Sequence, residues 1–245
     1  GEQAVNLGEE GRAERFLLRV GDEPHDFGKW TEWARPYHEG GLRTTTCGGP
    51  PAQAHLAVGV MDPWCPNYAH NVLDPFYRER QEAGEDVWWY ICVTPSTRLT
   101  GRPVDNLPFY WLTAKWNFDG AMSYAAHSPS PSSPESSPVP FRYEHGLNHR
   151  IMYRRDGTLL DTYRRELENE GIRDNMLIEK IRNQIEELRA RGHGKRVDAM
   201  TKRLNAIMES VAPYKYGYAD APRDWLSARD KLYDLAVEIN AFPGK

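Results

Sequence analysis

The sequence predicts an α/β fold with a parallel sheet, followed by a helical segment. Three observations support this prediction. Apolar runs of strand length recur through the first half of the chain, several stretches between them have helical spacing, and from Leu160 the apolar residues follow a helical period. Strands that alternate with helices are joined by crossovers, which are the connections that parallel neighbours need.

Five strand-like runs precede Ser128, and they are rich in Val, Leu, Thr and aromatic residues. They are RFLLRV ending at Val20, GLRTTTC at Cys47, HLAVGVM at Met61, DVWWYICVT at Thr94 and GAMSYAA at Ala126. Three stretches between them predict helices: GKWTEWARPYHEG, with Trp30, Trp33 and Ala34 on one side, DPFYRERQEAGE (74–85) and NLPFYWLTAKWNFD (106–119). The connection from Cys47 to His55 is too short for a full helix, so we expect an irregular crossover there.

The last third of the chain contains three helical stripes, which we interpret as core faces. Gly192 and Gly194 separate the first two stripes, and Pro222 opens the third at a favoured first-turn position. The stripes are Ile178, Ile181, Ile185 and Leu188; Val197, Met200, Leu204, Ile207 and Val211; and Trp225, Leu232, Leu235 and Ile239. The predicted division is a sheet-bearing part at 1–159, with a flexible Ser/Pro-rich loop at 128–140, and a helical part at 160–245.

Composition excludes several functions. A net charge of −4 gives no support for a nucleic-acid groove or for binding to an anionic membrane. No stretch approaches the roughly 18 apolar residues of a membrane span, and the first 15 residues lack the pattern of a signal peptide. Cys47, Cys65 and Cys92 form neither a disulfide framework nor a zinc motif, so no metal site is predicted.

Two adjacent acids, Asp22 and Glu23, stand before Pro24 at the end of the first apolar run. Carboxylates at a strand end are either part of a solvated turn or a pair placed for chemistry. Taken by themselves, such residues are more often solvated surface, so the choice depends on the rest of the sequence.

Two longer stretches carry a resemblance to a known family. EDVWWYICVTPSTRLTGRPVDNLPFYWLTAKWNFDGAMSY (85–124), followed by RRELENEGIRDNMLIEKI (164–181), resembles the C-terminal barrel portion of glycoside hydrolase family 123. The family motif R-x-E-x-L-R-D-G-I-E-D is present here as Arg165, Glu166, Gly171, Ile172 and Asp174. Asn169 and Glu170 replace its usual Arg-Asp, and the resemblance runs from about Phe16 to about Ile239.

The resemblance implies a (β/α)8 barrel of the TIM type, of which this chain would carry about the last five strands. Characterised members of the family remove β-linked N-acetylgalactosamine, so the implied partner is a glycan or glycoconjugate. The resemblance also implies a bacterial source and an extracytoplasmic or secreted location. Because a (β/α)8 barrel has eight strands, about three would precede Gly1, supplied by the same gene product or by another chain. A shorter fold that closes differently is the alternative.

The family carries its catalytic pair in a D-E-P segment at the carboxyl end of a middle barrel strand, which matches Asp22, Glu23 and Pro24. Barrel enzymes place their chemistry at such strand ends. The implied reaction is retaining and substrate-assisted, because the 2-acetamido oxygen of the sugar attacks its own anomeric carbon. Asp22 would orient the acetamido group, and Glu23 would serve as general acid and then base. No metal or cofactor is required.

Further candidates for substrate binding follow the other strands. Trp88 and Tyr90 share parity on their strand, with Tyr90 nearer its end. Tyr124 stands where relatives usually have Trp, and Asp105 matches the Asp of a family loop. Asp62 and Trp64 follow another predicted strand. For each of these residues, ordinary packing or turn capping is an equally good interpretation.

Two other functions stay open at this point. The chain would serve as a non-catalytic carbohydrate-binding or interaction protein if the barrel were degenerate and the two acids only capped a turn. It would be a glycosidase of different sugar specificity if it followed the family's uncharacterised relatives.

Overall fold

The structure is a computed structural model that describes residues 16–49, 51–68, 72–91, 107–123, 151–153, 159–161, 163–214 and 217–242. The chain forms two compact units. The first, the sheet unit, comprises Gly1–Cys92 and Phe118–Tyr124. The second, the helical unit, comprises Val93–Asn117 and Ala125–Lys245. Asp105, Tyr124 and the loop predicted at 128–140 lie outside the described residues.

The elements alternate as the sequence predicts. The sheet unit contains β1 (Leu17–Arg19), α1 (Phe27–Glu39), β2 (Arg43–Thr45), a 3-10 helix (Pro51–Ala57), α2 (Pro75–Glu82), β3 (Trp88–Ile91) and β4 (Gly120–Ser123). The helical unit contains α3 (Leu107–Lys115), β5 (Ile151–Tyr153), β6 (Leu159–Asp161), α4 (Tyr163–Ala190), α5 (Gly194–Val211) and α6 (Pro222–Asn240).

The sheet is parallel. β1 pairs with β2, and β3 pairs with β4. Between these pairs, residues 61–67 form a linking segment that makes parallel bridges to β2 through Met61 and to β3 through Trp64 and Asn67. Five extended segments are therefore neighbours in chain order, which confirms the predicted parallel arrangement. Among the described residues no pairing joins β4 to β1, so a closed barrel is not shown.

The strand predicted over HLAVGVM is wrong except at its last residue, Met61. His55 and Leu56 belong to the 3-10 helix, and extended backbone begins only at Met61. Between Ala54 and Val60, the buried residues are Ala54, Ala57 and Val60. Their spacing of three matches the three residues per turn of a 3-10 helix rather than the alternation of a strand. The irregular crossover expected after Cys47 is confirmed.

One face of the sheet packs against its helices. The apolar core there contains Phe27, Trp30, Ala34, Ala54, Ala57, Val60, Met61, Trp64, Tyr77 and Val87. α1 begins at an N-cap, Asp26, whose side chain accepts a hydrogen bond from the Lys29 N–H at 3.1 Å. Trp33, predicted on the same side of α1 as Trp30 and Ala34, is 64% exposed, whereas those two residues are buried.

The helical unit has its own apolar core. Every residue of the three predicted stripes is buried, and α6 begins at Pro222, so these predictions are confirmed. None of the helices in the described parts of the chain is long and apolar enough to cross a membrane.

Sequence analysis missed the antiparallel pair of β5 and β6. The dipeptide Asp156-Gly157 between them is a hairpin signal that would have indicated it.

Candidate active site

Glu23 is held at the carboxyl end of β1. Its backbone N–H donates to the Cys47 carbonyl at 3.0 Å, and its Oε1 accepts a hydrogen bond from the Tyr90 hydroxyl. Its backbone φ is +42°, a left-handed conformation that non-glycine residues rarely adopt. Residues held in such conformations cluster at functional sites, where the surrounding structure offsets the strain.

Tyr90 lies on β3 in a cluster on the face of the sheet that does not pack against the helices. Cys47, Cys65 and Tyr90 form the buried part of this cluster, and Trp88 and Met122 pack against it. The predicted common side of Trp88 and Tyr90 is therefore confirmed. Neighbouring Val87 belongs to the helix-facing core, as strand alternation requires.

Asp22 lies beside Glu23, and both residues are exposed. Its side chain is 67% exposed and forms an ion pair with Arg19 on β1. The two acids have different partners. Asp22 pairs with a cation on β1, whereas Glu23 accepts a hydrogen bond from a hydroxyl on a distant strand. Two carboxylates in different surroundings at one strand end are suited to separate chemical roles.

Gly48 closes the space beside Glu23. Its φ is +68°, and its N–H donates to the Cys65 carbonyl at 2.9 Å. A Cβ at this position would lie 2.8 Å from the Tyr90 Oη and 3.3 Å from the Glu23 Cγ. Sequence analysis missed this glycine, although the Gly48-Gly49 pair directly after a predicted strand was a usable signal.

Sequence analysis did not predict that Cys47, Cys65 and Met122 lie together near the candidate site. The Cys47 Sγ lies 4.0 Å from the Cys65 Sγ and 3.5 Å from the Met122 Sδ. The interaction with Cys65 and the positive charge of Arg19 lower the pKa of Cys47. The interaction with Cys47, together with burial, raises the pKa of Cys65. No group of three or more His, Cys, Asp or Glu suited to hold a metal ion is found among the described residues.

The structure does not bring Asp62 or Trp64 to Glu23. Asp62 bonds to the guanidinium of Arg43, with both N–O distances at 3.2 Å, and accepts from the Asp86 N–H. These partners lie where β2 and β3 begin, at the amino ends of the strands. Trp64 is buried in the helix-facing core, where its ring meets that of Phe76 edge-on at 5.0 Å.

The comparisons support a glycoside hydrolase fold. Neither protein-family models nor curated proteins match the sequence. Among solved structures, the chain is similar to a family 123 glycoside hydrolase from Clostridium perfringens, whose structure was analysed for glycolipid glycan hydrolysis. The TM-score is 0.59 at 16% sequence identity, and the match covers 98% of this chain and 43% of the hydrolase. The chain shares the fold of that part of the hydrolase.

The resemblance inferred from the sequence is thus confirmed at the level of fold. The chain spans less than half the length of the hydrolase that it matches. The activity, substrate and mechanism of the solved protein therefore do not transfer with the fold.

Proposed function

We propose that this chain carries the catalytic carboxylates of a glycoside hydrolase that cleaves β-linked N-acetylhexosamine, with N-acetylgalactosamine favoured. The observation that carries the proposal is the placement of Glu23. This carboxylate stands at the carboxyl end of a parallel strand, is anchored by the Tyr90 hydroxyl, and has a second acid beside it. The fold shared with a family 123 hydrolase supports the same reaction class.

The proposed reaction is retaining and substrate-assisted. The acetamido oxygen of the sugar attacks the anomeric carbon, and the bond to the leaving oxygen breaks as Glu23 donates its proton to that oxygen. The resulting oxazoline-like intermediate is opened by a water molecule, from which Glu23 removes a proton. Asp22 accepts a hydrogen bond from the acetamido N–H and stabilises the positive charge that develops on the acetamido group as its oxygen attacks.

The contacts of each acid support this assignment of roles. Tyr90 and the backbone bond to Cys47 fix the position of Glu23, and a general acid must be held within hydrogen-bonding reach of one particular oxygen. Asp22 is exposed, so an incoming acetamido group can reach its carboxylate, while Arg19 restrains it near the strand end.

The test compares Glu23→Gln with wild type on two substrates. We expect turnover of an unactivated β-N-acetylhexosaminide to fall at least about a hundredfold more than turnover of an aryl glycoside, because a good leaving group needs no proton. Glu32→Gln, on the exposed side of α1, is the matched control and should leave both rates unchanged. Equal losses on both substrates would contradict the role of Glu23 as the acid.

A second measurement tests participation of the substrate. A thiazoline analogue of the oxazoline intermediate should inhibit competitively, because enzymes bind analogues of their high-energy species more tightly than their substrates. A glycoside with a hydroxyl in place of the 2-acetamido group should not turn over. Sugar binding without turnover of any glycoside would instead support a non-catalytic carbohydrate-binding protein.

A further inference from the structure

Two buried thiols lie side by side beneath the candidate site. Cys47 and Cys65 are 1% and 3% exposed, both are free, and their Sγ atoms are 4.0 Å apart. Their backbones are hydrogen-bonded neighbours, since the N–H of Gly48 donates to the Cys65 carbonyl. A disulfide requires an S–S distance of about 2.0 Å, so the sulfurs need to approach each other by only about 2 Å.

The same residues position the proposed catalytic acid. The Cys47 carbonyl accepts the backbone N–H of Glu23 at 3.0 Å. The next residue, Gly48, leaves no room for even one carbon between its Cα and the Tyr90 hydroxyl. A movement of the Cys47 backbone that brings its sulfur toward Cys65 therefore displaces the carbonyl and the glycine against which Glu23 and Tyr90 are placed. Tightly packed groups transmit such strain because they cannot deform freely.

We propose that Cys47 and Cys65 are a modification site: low-molecular-weight disulfides convert this dithiol to a reversible disulfide, and the bond shifts Glu23 out of its contact with Tyr90. The expected loss of turnover rests on the proposed function. The formation of the disulfide and its coupling to the contact between Glu23 and Tyr90 do not.

The disulfide forms in two thiol–disulfide exchange steps. The Cys47 thiolate attacks one sulfur of the small disulfide, which breaks the S–S bond and releases one thiolate. The Cys65 thiolate then attacks the Cys47 sulfur and releases the second small thiolate. Two electrons and two protons pass from the cysteines to the small disulfide, which becomes two thiols. Cys47 is the first nucleophile because its interaction with Cys65 and the charge of Arg19 favour its thiolate, whereas the interaction with Cys47 and burial disfavour the thiolate of Cys65.

Access to the pair requires motion of its neighbours. Among the described residues, Met122 and Trp88 are the partly exposed side chains that pack against it. Met122 touches the Cys47 sulfur, and a methionine side chain adapts readily because three of its bonds rotate. We therefore expect oxidation to be slow.

The first experiment identifies the bond. The purified chain is equilibrated with oxidised and reduced glutathione, its free thiols are blocked, and its peptides are analysed by mass spectrometry. We expect a peptide pair linked through Cys47 and Cys65. Cys47→Ser and Cys65→Ser should each abolish that linkage, and Cys92→Ser should retain it. Absence of the linked pair under strongly oxidising ratios would overturn the proposal.

The second experiment tests the coupling without an activity assay. If the disulfide breaks the contact between Glu23 and Tyr90, then removal of that contact must favour the disulfide by the same factor. Tyr90→Phe is therefore expected to form the disulfide at a glutathione ratio at least about fivefold more reducing than wild type requires. Tyr37→Phe, at an exposed position of α1, is the control and should not shift the ratio. An unshifted ratio in Tyr90→Phe would overturn the coupling.

The third experiment connects the disulfide to turnover. We expect oxidised wild type to lose at least about tenfold in turnover, to recover it after reduction, and Cys65→Ser to show the same rate before and after oxidation. A fully active, fully disulfide-linked wild type would contradict the inhibitory effect. If the reduced protein hydrolyses no glycoside, the proposed function fails, and the first two experiments still decide the proposal.

Discussion

At the scale of single residues, the side-by-side acids acquire different environments from the fold. The sequence places Asp22 and Glu23 together at a strand end, and the structure keeps them there. It adds a partner for Glu23, the Tyr90 hydroxyl, that is 67 positions away along the chain. No local pattern predicts that hydrogen bond, because it depends on the parallel register of the two segments between β1 and β3, which are β2 and residues 61–67. The parity of Trp88 and Tyr90, in contrast, is a local property and was predictable.

Tyr90→Phe tests whether the hydroxyl orients Glu23. Loss of the hydroxyl leaves the Glu23 carboxyl without its anchor, so turnover should fall about tenfold or more through misplacement of the acid. The phenyl ring keeps its packing against Cys47 and Cys65, so the unfolding free energy should fall by no more than about 1.5 kcal/mol, the contribution of one hydrogen bond. The checks are steady-state kinetics and urea titration of wild type and variant. An unchanged rate would show that Tyr90 does not position the acid.

Gly48→Ala tests the space beside Glu23. The new Cβ would lie 2.8 Å from the Tyr90 Oη, so turnover should fall at least about tenfold as the two side chains separate. Gly59→Ala is a matched control, because Gly59 also has positive φ, +76°, but has open space around its Cβ position. Both variants should lose about 1–2 kcal/mol of unfolding free energy to backbone strain. Similar activity in the two variants would contradict the steric argument.

At the scale of elements, the helices of the last third were predicted best because their stripes are long and regular. Short elements were harder. HLAVGVM has the composition of a strand, yet its first residues form a 3-10 helix, because burial selects every third residue there. The same linking region explains why Asp62 and Trp64 are not beside Glu23. Asp62 lies where strands begin, and Trp64 points toward α2.

The elements of the helical unit are joined by a buried carboxylate. Asp174 on α4 is 4% exposed and accepts from the Trp111 Nε1 on α3 at 2.9 Å. It also binds the guanidinium of Arg229 on α6 at 2.7 and 2.9 Å. Gly171, one turn earlier, lies so close to Tyr110 that a Cβ would be 2.7 Å from its ring. The motif residues Gly171 and Asp174 therefore pack helices together.

Asp174→Asn should destabilise this unit. The substitution removes the charge that compensates Arg229, and breaking a buried ion pair costs about 3 kcal/mol. Glu170 still contacts Arg229 at 2.8 Å, so we expect the lower end of the range measured for such pairs. Glu238→Gln, in an exposed pair with Arg203, is the control and should change the unfolding free energy by less than about 1 kcal/mol. Equal effects in urea titrations would contradict the structural role of Asp174.

At the scale of the whole molecule, the chain divides differently from a simple cut in the sequence. The sequence predicts a division into residues 1–159 and 160–245. In the structure, α3 groups with the C-terminal helices, and β4 groups with the N-terminal strands. This interleaving depends on long-range packing. The composition of LPFYWLTAK indicates a buried helix but not the element that buries it. The α/β class with parallel strands was predictable, because the alternation of strands and helices follows from local sequence patterns.

The two units should behave as separate cooperative units in hydrogen exchange, since each has its own buried core. Asp174 and its partners Trp111, Glu170 and Arg229 all belong to the helical unit. We therefore expect Asp174→Asn to speed exchange in peptides from α4 and α6 by about a hundredfold, which corresponds to about 3 kcal/mol of lost protection. Peptides that span β2 and β3 should exchange as in wild type.

The comparison uses hydrogen exchange with mass spectrometry under native conditions, where local openings are measured separately from global unfolding. Gly48→Ala gives the reciprocal experiment, because the groups nearest to its new Cβ, Tyr90 and Glu23, belong to the sheet unit. It should speed exchange around β2 and β3 and leave α4 and α6 unchanged. If either variant speeds exchange equally in both sets of peptides, then the chain opens as one cooperative unit. The two compact units would then differ in their contacts but not in the free energy of opening.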